Sequence, residues 1–287
     1  MPKLADYKTD AKSWWCPGCG DFGVLAALQK ALVNLGKEPH EVALVAGIGC
    51  SGKIGNYINC YNFHVVHGRA LPTALGIKLA NRNLTVLAAG GDGDGYAIGM
   101  GHFLHAVRRN PDITYIVMDN HVYGLTKGQT SPTSDLGFKT KSQPAGNIER
   151  PVKPLELAIA AGATFVAQGF SGDVKQLTAL IEAGIRHKGF ALINAISPCV
   201  TFNKLNTYDF YRESLVAVDE IEGYDRTDRA GALKTLIEHD DLVTGLIFQS
   251  DEPPFESNLP GFRDEPIAAQ ELQLPLEALE RIAAAMR

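Results

Sequence analysis

Short β-branched and aliphatic runs alternate along the first two hundred residues with longer stretches whose apolar positions recur every three to four residues. The runs at 42–46, 84–89, 113–118, 164–167 and 190–196 are predicted to be strands. The first three end directly in glycine or in Asp-Asn. The stretches at 21–35, 70–80, 97–109, 155–161 and 174–187 are predicted to be helices, with Gly36 as the stop of the first. Apolar strands alternating with helices predict an α/β fold, a parallel sheet with helices on both faces. In such sheets ligands gather at the carboxyl ends of the strands, which is where the glycine clusters fall. Segment 120–147 is long, polar and rich in Gly, Thr and Ser; a loop of that length within a domain is expected to be functional. Beyond 210 the periodicity weakens. A helix over 230–239, a strand over 243–248 and a Pro-rich loop over 251–266 are predicted, in a tail that wraps or docks.

Composition narrows the class. With 287 residues, 45% hydrophobic and 21% charged, the chain is globular, and it is long enough for a sizeable core. The net charge of −5 is unevenly spread: from Tyr211 onward there are 7 Lys/Arg against 17 Asp/Glu, so the first 210 residues are net basic. This excludes a uniformly basic nucleic-acid binder and leaves room for a local anion site. No run reaches the roughly 18 apolar residues of a membrane helix, and the polar start lacks a signal-peptide core. A cytoplasmic location without membrane contact is expected. There, five cysteines suit metal binding, catalysis or inert burial better than disulfides.

Gly47-Ile-Gly-Cys-Ser-Gly52 follows a strand and matches G-x-G-x-x-G, but a dinucleotide site also needs an acid about 20 residues on. No Asp or Glu occurs between Glu41 and Asp92, whereas Lys53, His64, His67, Arg69, Lys78 and Arg82 do. Glycine and cations without acid suit a phosphate or carboxylate ligand. Gly90-Gly-Asp-Gly-Asp-Gly95 ends the second strand, and Asn120 ends the third. Adjacent strand ends thus bring a carboxylate and an amide oxygen together, a hard-oxygen set suited to Mg²⁺ bridging to a phosphate. A calcium EF-hand loop is ruled out, because its twelfth position would be Phe103.

Cys16-Pro-Gly-Cys19 precedes a helix, Cys50 lies in the first glycine loop, and Cys199 follows a strand end in Ser197-Pro-Cys199. All four are placed for one edge of the sheet. Without a nearby His they fit either Cys₄ zinc or a [4Fe–4S] cluster, and the spacing does not choose. The thioredoxin order is reversed at Pro17-Gly18. Cys60 has no partner spacing and reads as a bystander thiol.

Gly91-Asp92-Gly93 with Asn120 resembles the thiamine-diphosphate motif. That resemblance implies Mg²⁺ on the Asp92 and Asn120 side chains and the Val122 carbonyl, with the diphosphate cradled on the Gly91–Asp94 turn. W-C-P-G-C-G at 15–20, G-I-G-C-S-G-K at 47–53, H-G-R-A-L-P at 67–72, G-D-G-D at 91–94, D-N-x-x-Y-G-L-T-K-G-Q at 119–129 and S-P-C at 197–199 together resemble the β subunits of the 2-oxoacid:ferredoxin oxidoreductases. The resemblance spans about residues 10–210. It implies a thiamine-diphosphate and iron–sulfur binding domain over 1–210 and an acidic C-terminal extension over 211–287.

The resemblance further implies that Ile48, Gly49, Cys50, Ser51, His67, Gly91, Asp92, Gly93, Asp94, Asn120, Val122, Gly124 and Leu125 bind the coenzyme, and that Cys16, Cys19, Cys50 and Cys199 hold a [4Fe–4S] cluster. Lys53, His67, Leu125 and Lys127 are the candidates for catalysis and substrate contact. The implied reaction oxidises a 2-oxoacid with CoA to acyl-CoA and CO₂, passing electrons to ferredoxin. Cys50, inside the loop that touches the coenzyme, would put the electron acceptor beside the donor. If Lys53 faces the substrate it could pair a second carboxylate, which points to 2-oxoglutarate; pyruvate or broad 2-oxoacid use is the alternative. No Glu is placed to activate the thiamine, so an α subunit is expected to supply it, in an (αβ)₂ assembly. A non-catalytic iron–sulfur or zinc interaction protein, and a non-redox decarboxylase that would leave the four cysteines unexplained, are the rival readings.

Overall fold

Residues 1–259, 265–270 and 273–286 are described by the computed structural model. Eight strands form one sheet among them: β1 (Val42–Ala46), β2 (Tyr61–His64), β3 (Thr85–Gly91), β4 (Ile113–Asp119), β5 (Phe165–Phe170), β6 (Phe190–Ile196), β7 (Val216–Ala217) and β8 (Val243–Gln249). Their order is β2-β1-β3-β4-β6-β5-β8-β7. Every pairing is parallel except β5 with β8. The sheet is therefore largely parallel, as the alternation predicts, with one antiparallel junction that the alternation does not reveal.

Both faces are buried because side chains alternate across each strand. In β4, Ile113, Tyr115 and Val117 enter one core while Ile116 and Met118 enter the other. The second core is roofed by α1 (Asp21–Asn34) and α6 (Val174–Arg186), through Val24, Leu28 and Leu32 of the first and Leu177 and Ile181 of the second. The first is roofed by α3 (Ala70–Ala80), α4 (Met100–Arg109), α5 (Pro154–Ala160) and α8 (Arg229–Glu238). The short helices α2 (Ile54–Tyr57) and α7 (Tyr208–Ser214), and α9 (Leu276–Ala285), complete the described helices.

One expectation changes. The helix predicted over 97–109 begins at Met100, after a wide helical turn over Gly93–Ile98 in which Gly99 N–H donates to the Asp94 carbonyl at 3.0 Å. A β-carbon on Gly99 would lie 2.5 Å from that carbonyl, so the turn needs glycine there. The acidic segment packs onto the sheet as far as Gln249. Val218, Ala232, Leu236, Val243, Ile247 and Phe248 lie in the first core, and β8 extends the sheet. Of the loop predicted over 251–266, residues 260–264 lie outside the described residues. No described helix is long and apolar enough to cross a membrane.

Candidate active site

The carboxyl ends of β1, β3 and β4 meet at a cavity of about 160 Å³. Its wall contains Ile48, Gly49, Cys50 and Ser51 after β1, His67 before α3, Gly91 to Asp94 after β3, and Asn120 with Val122 to Thr126 after β4. It thus gathers each residue that the sequence assigns to coenzyme binding, with Tyr123 and Thr126 added. Lys53 and Lys127 are not in the wall. The Lys53 ammonium lies 5.9 Å from the centroid of the Trp14 ring, and Lys127 takes a left-handed φ of 76° in the turn closed by its N–H on the Gly124 carbonyl.

Gly93 has room for nothing larger: a β-carbon there would sit 2.0 Å from the Tyr123 ring. The Tyr123 hydroxyl in turn donates to the Gly93 carbonyl at 3.3 Å. Asn120 Oδ1 accepts from Val122 N–H at 3.1 Å, so the two residues share one turn beside Asp92. Asp92 is 2% exposed. Burial, then the neighbouring Asp119 carboxylate, pushes its carboxyl up to about 7. The Thr133 hydroxyl lies 2.7 Å from Asp92 Oδ2 and 2.8 Å from Asp119 Oδ1. A hydroxyl has one proton to donate, so Thr133 satisfies only one of the two carboxylates at a time. A divalent cation at Asp92 would relieve that crowding, and the oxygen-only donor set suits Mg²⁺. The residues present fit the metal.

Thr133 is brought here by the long polar segment, which folds back on itself. Gly137 N–H donates to the Asn147 carbonyl at 2.7 Å, and the Asn147 side-chain amide donates to the carbonyls of Ser134, Asp135 and Glu149. Sequence reasoning flagged the segment but not Thr133, because a threonine among polar loop residues carries no distinguishing spacing.

The cysteines converge next to the cavity through three ties. The Trp15 indole N–H donates to the Cys50 carbonyl at 2.7 Å, Gly20 N–H donates to the Pro198 carbonyl at 3.2 Å, and Cys19 N–H donates to the Cys16 carbonyl at 3.0 Å. A β-carbon on Gly124 would lie 3.6 Å from Cys50 Sγ and 3.7 Å from Cys199 Sγ. All five cysteines are free thiols. Burial, then Asp21, then Cys199 push Cys50 up to about 11, and burial followed by Asp21 pushes Cys19 up as well. Thiols held this way gain from a cationic core that takes them as thiolates. Among the described residues no three His, Cys, Asp or Glu side chains are grouped tightly enough to hold a single metal ion. Cys60 lies on the approach to β2, with its thiol directed at the Tyr61 carbonyl and Asn62 Oδ1.

Residues 47–195 match the thiamine pyrophosphate enzyme family, C-terminal TPP binding domain, and residues 199–264 match the C-terminal family of the pyruvate ferredoxin oxidoreductase beta subunit. The chain is 43% identical over 284 residues to subunit beta of 2-oxoacid:ferredoxin oxidoreductase 2 from Aeropyrum pernix, covering 94% of this chain and 92% of that one. It is 49% identical over 240 residues to the 2-oxoacid:ferredoxin oxidoreductase subunit beta of Saccharolobus solfataricus, covering 83% and 77%. Its structure is similar to 2-oxoglutarate:ferredoxin oxidoreductase from Magnetococcus marinus, solved with 2-oxoglutarate, coenzyme A and succinyl-CoA bound. The TM-score there is 0.91 at 38% identity, covering 98% of this chain and 96% of that one.

Proposed function

This chain belongs to the β subunits of the 2-oxoacid:ferredoxin oxidoreductases, and from that premise we propose that it works on 2-oxoglutarate with CoA, joined to an α subunit and passing electrons to ferredoxin. The observation that carries the reading is the shared wall at Cys50. One loop faces the coenzyme cavity and also sets its sulfur against Gly124 beside Cys199. The choice of 2-oxoglutarate is supported by the likeness to the Magnetococcus marinus enzyme with that acid bound.

Thiamine diphosphate, when bound, supplies the electron sink for decarboxylation. Asp92, Asn120 and the Val122 carbonyl are proposed to hold its Mg²⁺, and the Gly91–Asp94 turn to seat the diphosphate. Ile48, Gly49, Ser51, His67, Gly124 and Leu125 orient the coenzyme along the cavity. Cys16, Cys19, Cys50 and Cys199 are proposed to hold a [4Fe–4S] core, whose potential this chain tunes by burial and hydrogen bonding. Leu125, half exposed at the wall, shapes the substrate end, and Lys53 and Lys127 act from outside the wall.

The test is anaerobic co-expression with the α subunit, followed by CoA-dependent reduction of a viologen with 2-oxoglutarate or pyruvate. Faster turnover of 2-oxoglutarate is expected. The Lys53→Ala variant is expected to raise KM for 2-oxoglutarate by about tenfold, the equivalent of ~1.4 kcal/mol, and to affect pyruvate less. Equal losses for both acids would remove Lys53 from substrate selection.

A further inference from the structure

We propose that Asp94 is a positioning residue that acts through His67, holding the imidazole so that it meets the coenzyme by Nε2 alone. The proposal rests on the thiamine-diphosphate reading of the cavity.

Asp94 sits in the wide turn after β3 and is 2% exposed. Its Oδ1 accepts three hydrogen bonds, from Ile48 N–H at 2.9 Å, Gly68 N–H at 2.8 Å and His67 Nδ1 at 2.6 Å. An oxygen already facing two backbone N–H groups acts as an acceptor, so the proton between it and the ring lies on Nδ1. The other oxygen, Oδ2, is buried without a partner, and a β-carbon on Gly47 would fall 2.0 Å from it. Asp94 is therefore saturated on Oδ1, while Oδ2 lies buried close against Gly47. It borders the cavity, with Oδ1 taken up by the protein's own N–H groups and imidazole.

His67 is fixed at its other end too. The Arg69 guanidinium donates to the His67 carbonyl at 3.2 Å and to the Ile98 carbonyl at 3.3 Å. Gly68 turns the chain with a left-handed φ of 71°. The His67 side chain retains 37% exposure and lies on the cavity wall. With Nδ1 committed to Asp94, Nε2 on the far edge of the ring is the nitrogen left for a ligand. The same carboxylate anchors Ile48, so one residue sets the glycine loop and the imidazole relative to each other.

A double-mutant cycle on the assembled αβ oxidoreductase tests the coupling, with the thiamine-diphosphate dissociation constant, KM and kcat measured separately. In Asp94→Asn an amide offers the ring a donor as well as an acceptor, so its proton is no longer assigned to Nδ1. Asp94→Asn is expected to weaken thiamine-diphosphate binding about tenfold when His67 is present, the scale of one charged hydrogen bond. In a His67→Ala background the loss is expected to be clearly smaller, confined to what the Ile48 and Gly68 N–H anchors contribute. Equal weakening in both backgrounds would show that Asp94 acts without His67 and overturn the proposal.

A second pair reads the ring itself. The side-chain amide of Gln reaches the Nε2 position, and that of Asn the Nδ1 position. His67→Gln is expected to retain binding better than His67→Asn. The reverse order would overturn the assignment of Nε2. A wild-type enzyme that takes up no thiamine diphosphate would sink the coenzyme reading together with this proposal, whereas normal uptake with a failed cycle sinks the proposal alone.

Discussion

Asp92 carries a cost that the protein's own residues do not remove. Its carboxyl is raised from the ordinary 3.8 to about 7 by burial and then by Asp119, and burial also raises Asp21 and Asp241, each to about 6. Between the unfolded and folded values the native chain holds protons that the unfolded chain has released. Stability contributed by these groups is thus fully present below the unfolded value and is lost as pH rises through 6 to 7. Melting of the metal-free chain is expected to fall from about pH 5 to about pH 8, and Mg²⁺ with thiamine diphosphate is expected to reverse the fall. A flat profile in both conditions would show that Asp92 is not the group being relieved. Gly93→Ala is expected to drive the Tyr123 ring into the cavity and cut coenzyme affinity by more than about tenfold, the scale of ~1–3 kcal/mol for overpacking; titration of the coenzyme measures it. At this scale the sequence was readable where a residue closes a strand. Asp92 and Asn120 announced themselves by adjacency to apolar runs. Thr133 did not, because its role arises only when a distant loop folds back.

Elements were legible to the extent that their periodicity reflected burial. Strands β1, β3, β4 and β6 and helices α1, α3 and α6 lie within a few residues of the predicted bounds. All four positions of β2 are exposed, so no apolar alternation betrayed it. The direction of β8 was equally hidden, since an apolar run reads the same in either orientation. The start of α4 was displaced by the wide turn, whose geometry depends on side chains and carbonyls brought together only in the fold. Helix α1 illustrates how an element is held to the site. A β-carbon on Gly23 would lie 2.2 Å from the Ser171 carbonyl, and one on Gly20 would lie 2.7 Å from the Ser197 backbone. Gly23→Ala must lift the start of α1 off the loop after β5, an overpacking cost of ~1–3 kcal/mol. A lower melting temperature with reduced iron content on anaerobic purification is the expected outcome. Unchanged iron would separate the helix seat from the thiol cluster.

The whole molecule presents a coenzyme cavity without the acid that thiamine chemistry requires. Among the described residues no Glu or Asp lies in the cavity wall beyond Asp92 and Asp94, and both are committed, the first to the proposed metal and the second to His67. The chain purified alone is expected to show no 2-oxoacid-dependent dye reduction, and added α subunit is expected to restore it. Turnover by the isolated chain would place the missing acid here instead. The thiol-bearing segments carry a further consequence. Residues 16–19, 50 and 199 come from the start, the first quarter and the latter part of the chain, so an inorganic core spanning them would act as a rivet across most of its length. Cross-links closing long loops remove the most freedom from an unfolded chain. Oxygen that corrodes such a rivet is therefore expected to unlatch the leading segment first. Tryptic nicking after Lys8 or Lys12 on exposure to air, with the sheet still intact, would be its earliest sign.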